Sequence, residues 1–200
     1  METLVIQPDS STGQDSCLNQ TNPATKRGAD DIMRVGTLTL INRPIFKFDL
    51  SSITGINAYA SSVVISLYCD VSHGYDCNIY PVLRSWWEDE VCWSYYTGTT
   101  AWTTAGCGSA GNDYENTIHA TTNPAHFHTW FDWTLNTAGL LRVNQWLDGT
   151  VTNNGWLMKS TSEGSTSGDL RSSEYTTTSL HPYITIDYEF AGAGQAIFIM

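Results

Sequence analysis

The chain has 200 residues, enough to bury a substantial core in one domain, and only 14% of them are charged. Twenty acidic residues against nine basic ones give a formal net charge of −11, which repels nucleic-acid backbones and anionic membrane surfaces. No stretch approaches the roughly eighteen apolar residues of a membrane span. Composition therefore argues against both nucleic acid and membrane as partners.

The N-terminal stretch predicts a strand from Thr3 to Ile6 and lacks the basic start and apolar core of a secretory signal. Five cysteines in an acidic, aromatic, Lys-poor chain are nevertheless typical of extracellular material. Two explanations stay open at this stage. Either a signal has been removed, or the protein reaches the exterior in a virus particle released by lysis, and the strand-like start favours the second.

Alternation of apolar and polar residues with a period of two predicts strands along the rest of the chain. In "RPIFKFDLSSI", Phe46, Phe48 and Leu50 share one face. Further strands are predicted in "ASSVVISLYCDV", "NIYPVLR", "HTWFDWTL", "NGWLMKS" and "HPYITIDYEF". One segment, "LNTAGLLRVNQWLDG", spaces Val143 and Leu147 as a helix does. The fold class predicted is all-β, a sandwich of two antiparallel sheets with one short helix capping an end and a long Trp-rich loop.

The cysteine spacing predicts disulfides rather than a metal site. No C-x-x-C occurs, and no His stands at a zinc-finger spacing from a cysteine pair. Cys69 ends one predicted strand and Cys77 begins the next, so a disulfide could close that hairpin. Cys92 and Cys107 could likewise clip the Trp-rich loop, which leaves Cys17 single. The alternative is five buried, reduced thiols that pack as small hydrophobes.

Several segments follow one another in an order that resembles a known family. An entry segment "LVIQPDSSTGQDSCLNQTNPATKRGADDIMRVG" precedes "NRPIFKFDLSSI", "YPVLRSWWEDEVCWSYYTGTTAWTTAGC", "DYENT", "WFDWTLNTAGLLRVNQWLDGTVTNNGWLMKS" and "SSEYTTTSLHPYITIDY". Over roughly residues 3–190 the chain resembles the DNRLRE-type domain, also described as the disaggregatase-related repeat. The resemblance implies a jelly-roll β-sandwich related to carbohydrate-binding modules. Such domains are most often appendages of secreted or cell-surface proteins, and similar ones occur in phage structural proteins.

The resemblance also assigns roles within the Trp-rich segment, residues 84–108. The family pattern R-S-W-x-E…W…A-W, which recurs irrespective of ligand, is matched by Arg84, Trp86, Glu88, Trp93 and Trp102. This recurrence implies that the three tryptophans are buried and fix the segment on the end of the sandwich. Two further family-typical positions, Arg43 and Glu174, imply a salt bridge that links their strands.

Trp87, Tyr95 and Tyr96 fall outside that pattern and are the candidate platform for stacking on a sugar. Glu88 and the two acids that follow it would accept hydrogen bonds from the sugar hydroxyls. Their negative charge would repel an acidic polysaccharide unless a cation bridges the two. A neutral glycan, including a glycan on a host surface, is therefore the expected ligand class if the rings are exposed.

No cofactor or catalytic metal is predicted. Asp15, Asp30, Asp31 and Asp49 are candidates for one structural calcium ion, as in other sandwich modules, while an Asp in a turn more often caps its own backbone. The histidines of residues 119–128 and the neighbouring glutamates match no catalytic motif, since G-x-S-x-G, P-loop and H-E-x-x-H are all absent from the sequence. The sequence predicts a protein that is not an enzyme.

The last ten residues, "AGAGQAIFIM", form a segment that we call the assembly tail. Gly and Ala precede an apolar end made of Ile197, Phe198, Ile199 and Met200. We expect this tail to dock, either on its own domain as a late strand or on a neighbouring subunit by strand addition. Residues 1–190 are then one domain and residues 191–200 an assembly device.

These features together predict a structural protein of a virus particle surface. It would be a phage capsid decoration or cement protein, or a fibre-like subunit, that forms a homo-oligomer and docks on a major capsid protein or another virion protein. The alternative is a secreted, extracellular carbohydrate-binding module that recognises a polysaccharide.

Overall fold

The computed structural model describes residues 1–36, 40–55, 57–164 and 166–190. The strands are β1 Glu2–Ile6, β2 Gln14–Asn19, β3 Ile32–Val35, β4 Asn42–Lys47, β5 Ala58–Val71, β6 Cys77–Pro81, β7 Tyr95–Thr97, β8 Thr100–Ala101, β9 Ala120–Thr122, β10 Thr129–Thr134, β11 Trp156–Ser160, β12 Gly168–Arg171 and β13 Tyr183–Phe190. One α-helix, α1, spans Thr137–Leu147, and a 3-10 turn spans Thr178–Leu180. Neither described helix is long and apolar enough to cross a membrane. The assembly tail with Ile197, Phe198, Ile199 and Met200 lies outside the described residues, so its docking stays a prediction.

Two antiparallel sheets face each other. The first has the strand order β1-β13-β5-β12-β3. Strand β10 also pairs with β5, on the side away from β13. Ser66 of β5 pairs with Asp132 of β10 on one side and with Tyr183 of β13 on the other. The second sheet has the order β2-β4-β11-β6-β9, and β7 and β8 form a separate two-stranded ribbon. The predicted all-β sandwich of two antiparallel sheets is confirmed.

The main core fills the space between the two sheets. Val63, Ile65 and Leu67 point inward from β5, and Phe46 and Trp156 point inward from the second sheet. Each of these side chains is fully or almost fully buried. The period-two alternation in the sequence therefore predicted the inward face of both sheets correctly.

The predicted helix closes one end of this core. Asn136 caps α1 by accepting a hydrogen bond from the Gly139 amide at 3.0 Å. Val143 and Leu147 are buried in the core, as their helical spacing predicts. Asn144 ties the helix to the first sheet, because its side-chain amide bonds the backbone of Ala60 in β5.

A second core covers the outer face of the second sheet. Residues that alternate with the inward side chains, such as Ile45 beside Phe46 and Leu157 beside Trp156, belong to it. Its buried members are Leu18, Ile45, Val82, Trp86, Val91, Trp93, Trp102, Cys107, Tyr114 and Leu157. The Trp-rich segment therefore lies over a sheet face rather than at the end of the sandwich. The sequence-based placement was wrong because both faces of the central strands are apolar and covered.

The proposed disulfide between Cys69 and Cys77 is wrong. Cys69 lies on β5 in the first sheet and Cys77 on β6 in the second, so the two strands form no hairpin. Both thiols are free and buried, and each contacts a carbonyl of its own segment, Val71 at 3.3 Å and Tyr75 at 3.7 Å. The apolar pattern of the two consecutive strands predicted that both cysteines are buried. It did not predict the sheet to which each strand belongs.

The second proposed disulfide, Cys92 with Cys107, is also absent. Both are free and buried, and the Cys107 thiol lies 3.6 Å from the Asp113 carbonyl oxygen, which it contacts as a weak donor. Burial raises the pKa of Cys17 and of Cys69 to about 11, so these thiols stay protonated near neutral pH. The alternative of five reduced thiols that pack as small hydrophobes is the correct one.

Candidate functional site

The three pattern tryptophans of the Trp-rich segment are structural. Trp86 is fully buried and donates its indole N–H to the Asn154 carbonyl at 2.9 Å. Trp102 donates its own to the Cys92 carbonyl at 2.9 Å. The Trp93 ring lies beneath the Arg43 guanidinium, 5.3 Å from its carbon to the ring centroid. These indoles bury a large apolar area and leave no polar atom unpaired at Trp86 or Trp102, which explains how the segment is fixed.

The three rings outside the pattern differ in exposure. Trp87 is 54% exposed and Tyr95 is 36% exposed. Tyr96 is half-buried and packs on Trp102 with ring centroids 5.4 Å apart, and the Arg84 guanidinium lies over its ring, 5.8 Å from the centroid. Trp87 and Tyr95 can thus meet a ligand, whereas Tyr96 belongs to the wall of the second core.

Glu88 points away from the exposed ring of Trp87. A tight turn follows Trp87, whose carbonyl accepts the amide of Val91 at 2.8 Å, and this turn directs Glu88 inward while Trp87 points out. Glu88 is half-buried and its Oε1 accepts the Asp15 amide at 2.8 Å. One oxygen of Glu88 is thus engaged by another strand, and the orientation of sugar hydroxyls by Glu88 stays a prediction.

Glu88 instead joins two other carboxylates in what we call the carboxylate cluster: Asp15, Glu88 and Glu174. One oxygen from each lies within 4.8 Å of the others. Asp15 is on β2 opposite Phe46, hence on the side that faces the first sheet, and Glu174 follows β12 of that sheet. The cluster thus joins the two sheets and the Trp-rich segment at one edge of the sandwich.

Ser173 and two glycines hold the carboxylate cluster together. The Ser173 amide donates to Asp15 Oδ2 at 3.0 Å, and its hydroxyl donates to Glu174 Oε1 at 3.2 Å. A Cβ on Gly13 would lie 2.0 Å from the Ser173 hydroxyl, and a Cβ on Gly28 would lie 2.3 Å from Glu88 Cγ. Only glycine permits this approach at either position, so the surrounding loops are built closely around the acids.

The electrostatics of the carboxylate cluster oppose full ionisation. Burial, followed by the negative charge of Glu174, raises the pKa of Asp15 to about 8. Burial also raises the pKa of Glu88 to about 7 and raises that of Glu174. The positive charge of Lys47 acts in the opposite direction on Glu88. Three carboxylates this close hold protons or a compensating cation at neutral pH.

Of the four aspartates considered for calcium, only Asp15 enters the cluster. Asp30 pairs with Arg27 at 2.7 Å, and Asp31 shares a cavity with Arg27 and Arg34. Asp49 caps its own turn by accepting the Ser51 amide at 2.9 Å. A calcium site built from all four aspartates is therefore wrong.

The predicted salt bridge between Arg43 and Glu174 is also wrong, since Arg43 pairs with Glu163 at 2.7 Å. Glu174 is drawn instead into the carboxylate cluster by Ser173, its neighbour in the turn after β12. The sequence resemblance did not identify the partner of either residue.

The histidines of residues 119–128 do not converge. His119 is buried and lies 3.3 Å from the Trp156 indole nitrogen, which donates to it. His128 contacts Asp70 at 3.1 Å on the surface. His126 stacks on Phe131 with centroids 6.4 Å apart. Each ring has its own structural partner, so these residues form no joint metal or catalytic site.

Sequence reasoning missed the carboxylate cluster as a unit. Its members are 73 and 86 positions apart along the chain, from 15 to 88 and from 88 to 174, and no local motif joins them. The sequence therefore offered no signal that would have joined them. No protein-family model matches this chain, and no curated protein matches its sequence. The proposed function therefore rests on the fold and its exposed surfaces.

Proposed function

We propose that this chain is a non-enzymatic structural subunit of a virus particle surface, a capsid decoration or fibre-like protein that acts by oligomerisation and docking. The observation that carries the proposal is an exposed apolar sheet edge next to the start of the assembly tail. A neighbouring copy's assembly tail is the occupant that we assign to this edge. The same proposal places the chain with DNRLRE-type domains of phage structural proteins.

The edge is strand β1. It lies at one end of the strand order in the first sheet, so within the described ranges one of its sides has no strand partner. Leu4 and Ile6 pack on the core, while Val5 on the opposite face is 57% exposed. An edge strand with an exposed β-branched residue is a template for addition of another strand.

The apolar face of β13, the neighbour of β1, runs past the end of the core. Ile184, Ile186 and Tyr188 are buried, but Phe190 on the same face is 48% exposed. Its ring contacts Tyr188 with centroids 5.4 Å apart. The apolar residues Ile197 to Met200 are about as many as the five residues of β1, so a neighbouring tail has the length to pair along this edge.

The positions of the candidate site residues support a role through surfaces rather than through catalysis. The tryptophans of the family pattern are buried in the second core, and the histidines of residues 119–128 each have a separate structural partner. A formal charge of −11 suits the exterior of a particle, since it limits non-specific association with nucleic acid during assembly.

A charge placed on the edge tests the proposal. Val5→Lys should lower the association constant for self-assembly at least tenfold, measured by light scattering during gel filtration. Val71→Lys puts the same charge on another exposed valine, at the end of β5, and should leave assembly unchanged. Circular dichroism melting of both variants shows that each is folded. Unchanged assembly of folded Val5→Lys would refute strand addition at β1.

One observation favours the second function, a carbohydrate-binding module. Trp87 is the most exposed tryptophan of the segment and could stack on a sugar, and the Lys47 ammonium lies over its ring, 5.3 Å from the centroid. On an array of neutral polysaccharides and host glycans, this function requires saturable binding that Trp87→Ala abolishes. Phe127→Ala removes an exposed ring elsewhere and should retain binding. A wild-type protein that binds none of these glycans eliminates this function.

A further inference from the structure

We propose that Asp15, Glu88 and Glu174 form a calcium site that joins strand β2, the Trp-rich segment and the turn after β12. The ion would stabilise the fold of the single subunit, so this proposal does not depend on the assembly function. It shares only Asp15 with the set of aspartates that the sequence indicated.

The spacing of the oxygens suits calcium. Calcium binds oxygen at about 2.3–2.6 Å, so two oxygens on one ion lie up to about 5 Å apart. The three carboxylates offer oxygens within 4.8 Å of one another. Magnesium demands near-octahedral geometry and usually takes only one or two carboxylates, so a site of three carboxylates favours calcium. The donors are all carboxylate oxygens, which favours a hard cation over zinc or copper.

Asp15 supplies an observation separate from the clustering. Its side chain is 3% exposed, and its Oδ1 has no hydrogen-bond partner among the described residues, although Oδ2 accepts the Ser173 amide. A buried carboxylate oxygen without a donor is costly, and native proteins satisfy such atoms with a partner, a water or an ion. The cluster therefore contains an acceptor that an ion would satisfy.

The charges around the cluster leave room for a cation. Within the described part of the chain, none of the three carboxylates forms an ion pair. Lys47 acts on Glu88 electrostatically without forming an ion pair with it, and its ammonium lies over the Trp86 and Trp87 rings, 5.3 Å from each centroid. Asp89 adds negative charge near Glu88, while His181 acts on Glu174 in the opposite direction.

A cavity gives the cluster a route from solvent. It has a volume of about 470 Å³, and Glu88 and Glu174 line it together with Asp89, Lys26 and Gly28. Because Gly28 has no side chain, the loop passes close to Glu88 without covering it. An ion can enter from this side and reach the buried Asp15 last.

Calcium titration of EGTA-treated, extensively dialysed full-length protein tests the proposal. Isothermal titration calorimetry should show one saturable site, and calcium at about 100 times its Kd should raise the melting temperature by roughly 5–10 °C. Magnesium should bind at least tenfold more weakly. Terbium should bind in place of calcium and give emission sensitised by the nearby tryptophans. Absence of calcium binding by the wild-type protein in both assays would overturn the proposal.

Isosteric variants locate the site. Glu88→Gln and Glu174→Gln should each lower calcium affinity at least tenfold, and the metal-free variants should melt at or above the wild-type temperature because charge repulsion is relieved. Asp76→Asn is the matched control, since Asp76 is an exposed carboxylate outside both the cluster and its cavity, and the variant should leave affinity within about twofold. Wild-type calcium affinity in both glutamine variants would place the ion elsewhere and refute the assignment.

Discussion

Arg43 and Glu163 form a two-point ion pair that fixes the Trp-rich segment to the second sheet. The Arg43 Nε lies 2.7 Å from Glu163 Oε1, and Nη2 lies 2.9 Å from Oε2. The remaining Nη1 donates to the Gly106 carbonyl at 2.7 Å, and the guanidinium covers Trp93. One nearly buried side chain on β4 thus connects a loop, the Trp-rich segment and the second core.

Arg43→Ala should therefore destabilise the protein strongly. The substitution leaves the Glu163 carboxylate and the Gly106 carbonyl without their donor, at a cost of about 3 kcal/mol in the free energy of unfolding. In a chain of this size the melting temperature should fall by roughly 6–12 °C, measured by calorimetry. Arg34→Ala removes a more exposed ion pair, with Asp169, and should cost less than about 1 kcal/mol. Equal losses in the two variants would contradict the role of Arg43.

Truncation of two adjacent tryptophans, Trp86 and Trp87, should lower the free energy of unfolding by very different amounts. Trp86 is fully buried and hydrogen-bonded to Asn154, so Trp86→Ala should lower the free energy of unfolding by about 3–5 kcal/mol. Trp87→Ala removes an exposed ring and should cost less than about 1 kcal/mol. Urea unfolding followed by circular dichroism measures both. A larger loss in Trp87→Ala would show that the inner and outer assignments are reversed.

All five cysteines should behave as free, inaccessible thiols. Burial keeps reagents away from all five thiols, and in Cys17 and Cys69 it also raises the pKa to about 11, which suppresses the reactive thiolate. A colorimetric thiol reagent should detect essentially no fast-reacting thiol in the folded protein and five after unfolding in guanidinium without reductant. Detection of only one thiol after unfolding would show that the other four cysteines form two disulfides.

In the folded protein, His119 should stay neutral at pH values well below the usual pKa of histidine. Burial, reinforced by the positive charge of Arg142, lowers the pKa of His119 to about 4, against about 6.5 in an unfolded chain. The unfolded state therefore binds the proton more readily. The contribution of His119 to stability is complete above about pH 6.5 and falls by about 3 kcal/mol as the pH decreases to 4.

The carboxylate cluster contributes with the opposite sign over part of this range, so the titration of the ring itself is the appropriate measurement. Nuclear magnetic resonance of the His119 ring should show a midpoint near pH 4. A midpoint near 6.5 would mean that the ring is accessible to solvent in the folded state, in conflict with its burial.

Period-two patterns predicted the strands and their faces because burial of one face is a local property of the sequence. The alternation of Ile184, Ile186 and Tyr188 predicted β13 with its core side, and Val143 with Leu147 predicted the buried face of α1. The same patterns do not specify which strands become neighbours. This is why a hairpin was expected where β5 and β6 belong to different sheets.

The candidate site was less predictable because its contacts are long-range. Glu163 lies in "STSEGSTSGD", which the sequence describes only as a polar surface loop, yet it is the partner of Arg43. Asp15, Glu88 and Glu174 come from three distant segments, and only folding of both sheets brings them within 4.8 Å. Residue type indicated which side chains could act, whereas the tertiary fold determined which of them meet.

The assembly state of the full-length protein, compared with a version that ends at Phe190, tests the central claim most directly. All described strands and the helix lie within residues 1–190, so the shorter chain should fold. Light scattering during gel filtration should give a homo-oligomer for the full-length chain and a monomer of unchanged melting temperature for the shorter one. Equal assembly states, whether both monomeric or both oligomeric, would contradict the assignment of residues 191–200 as the assembly tail.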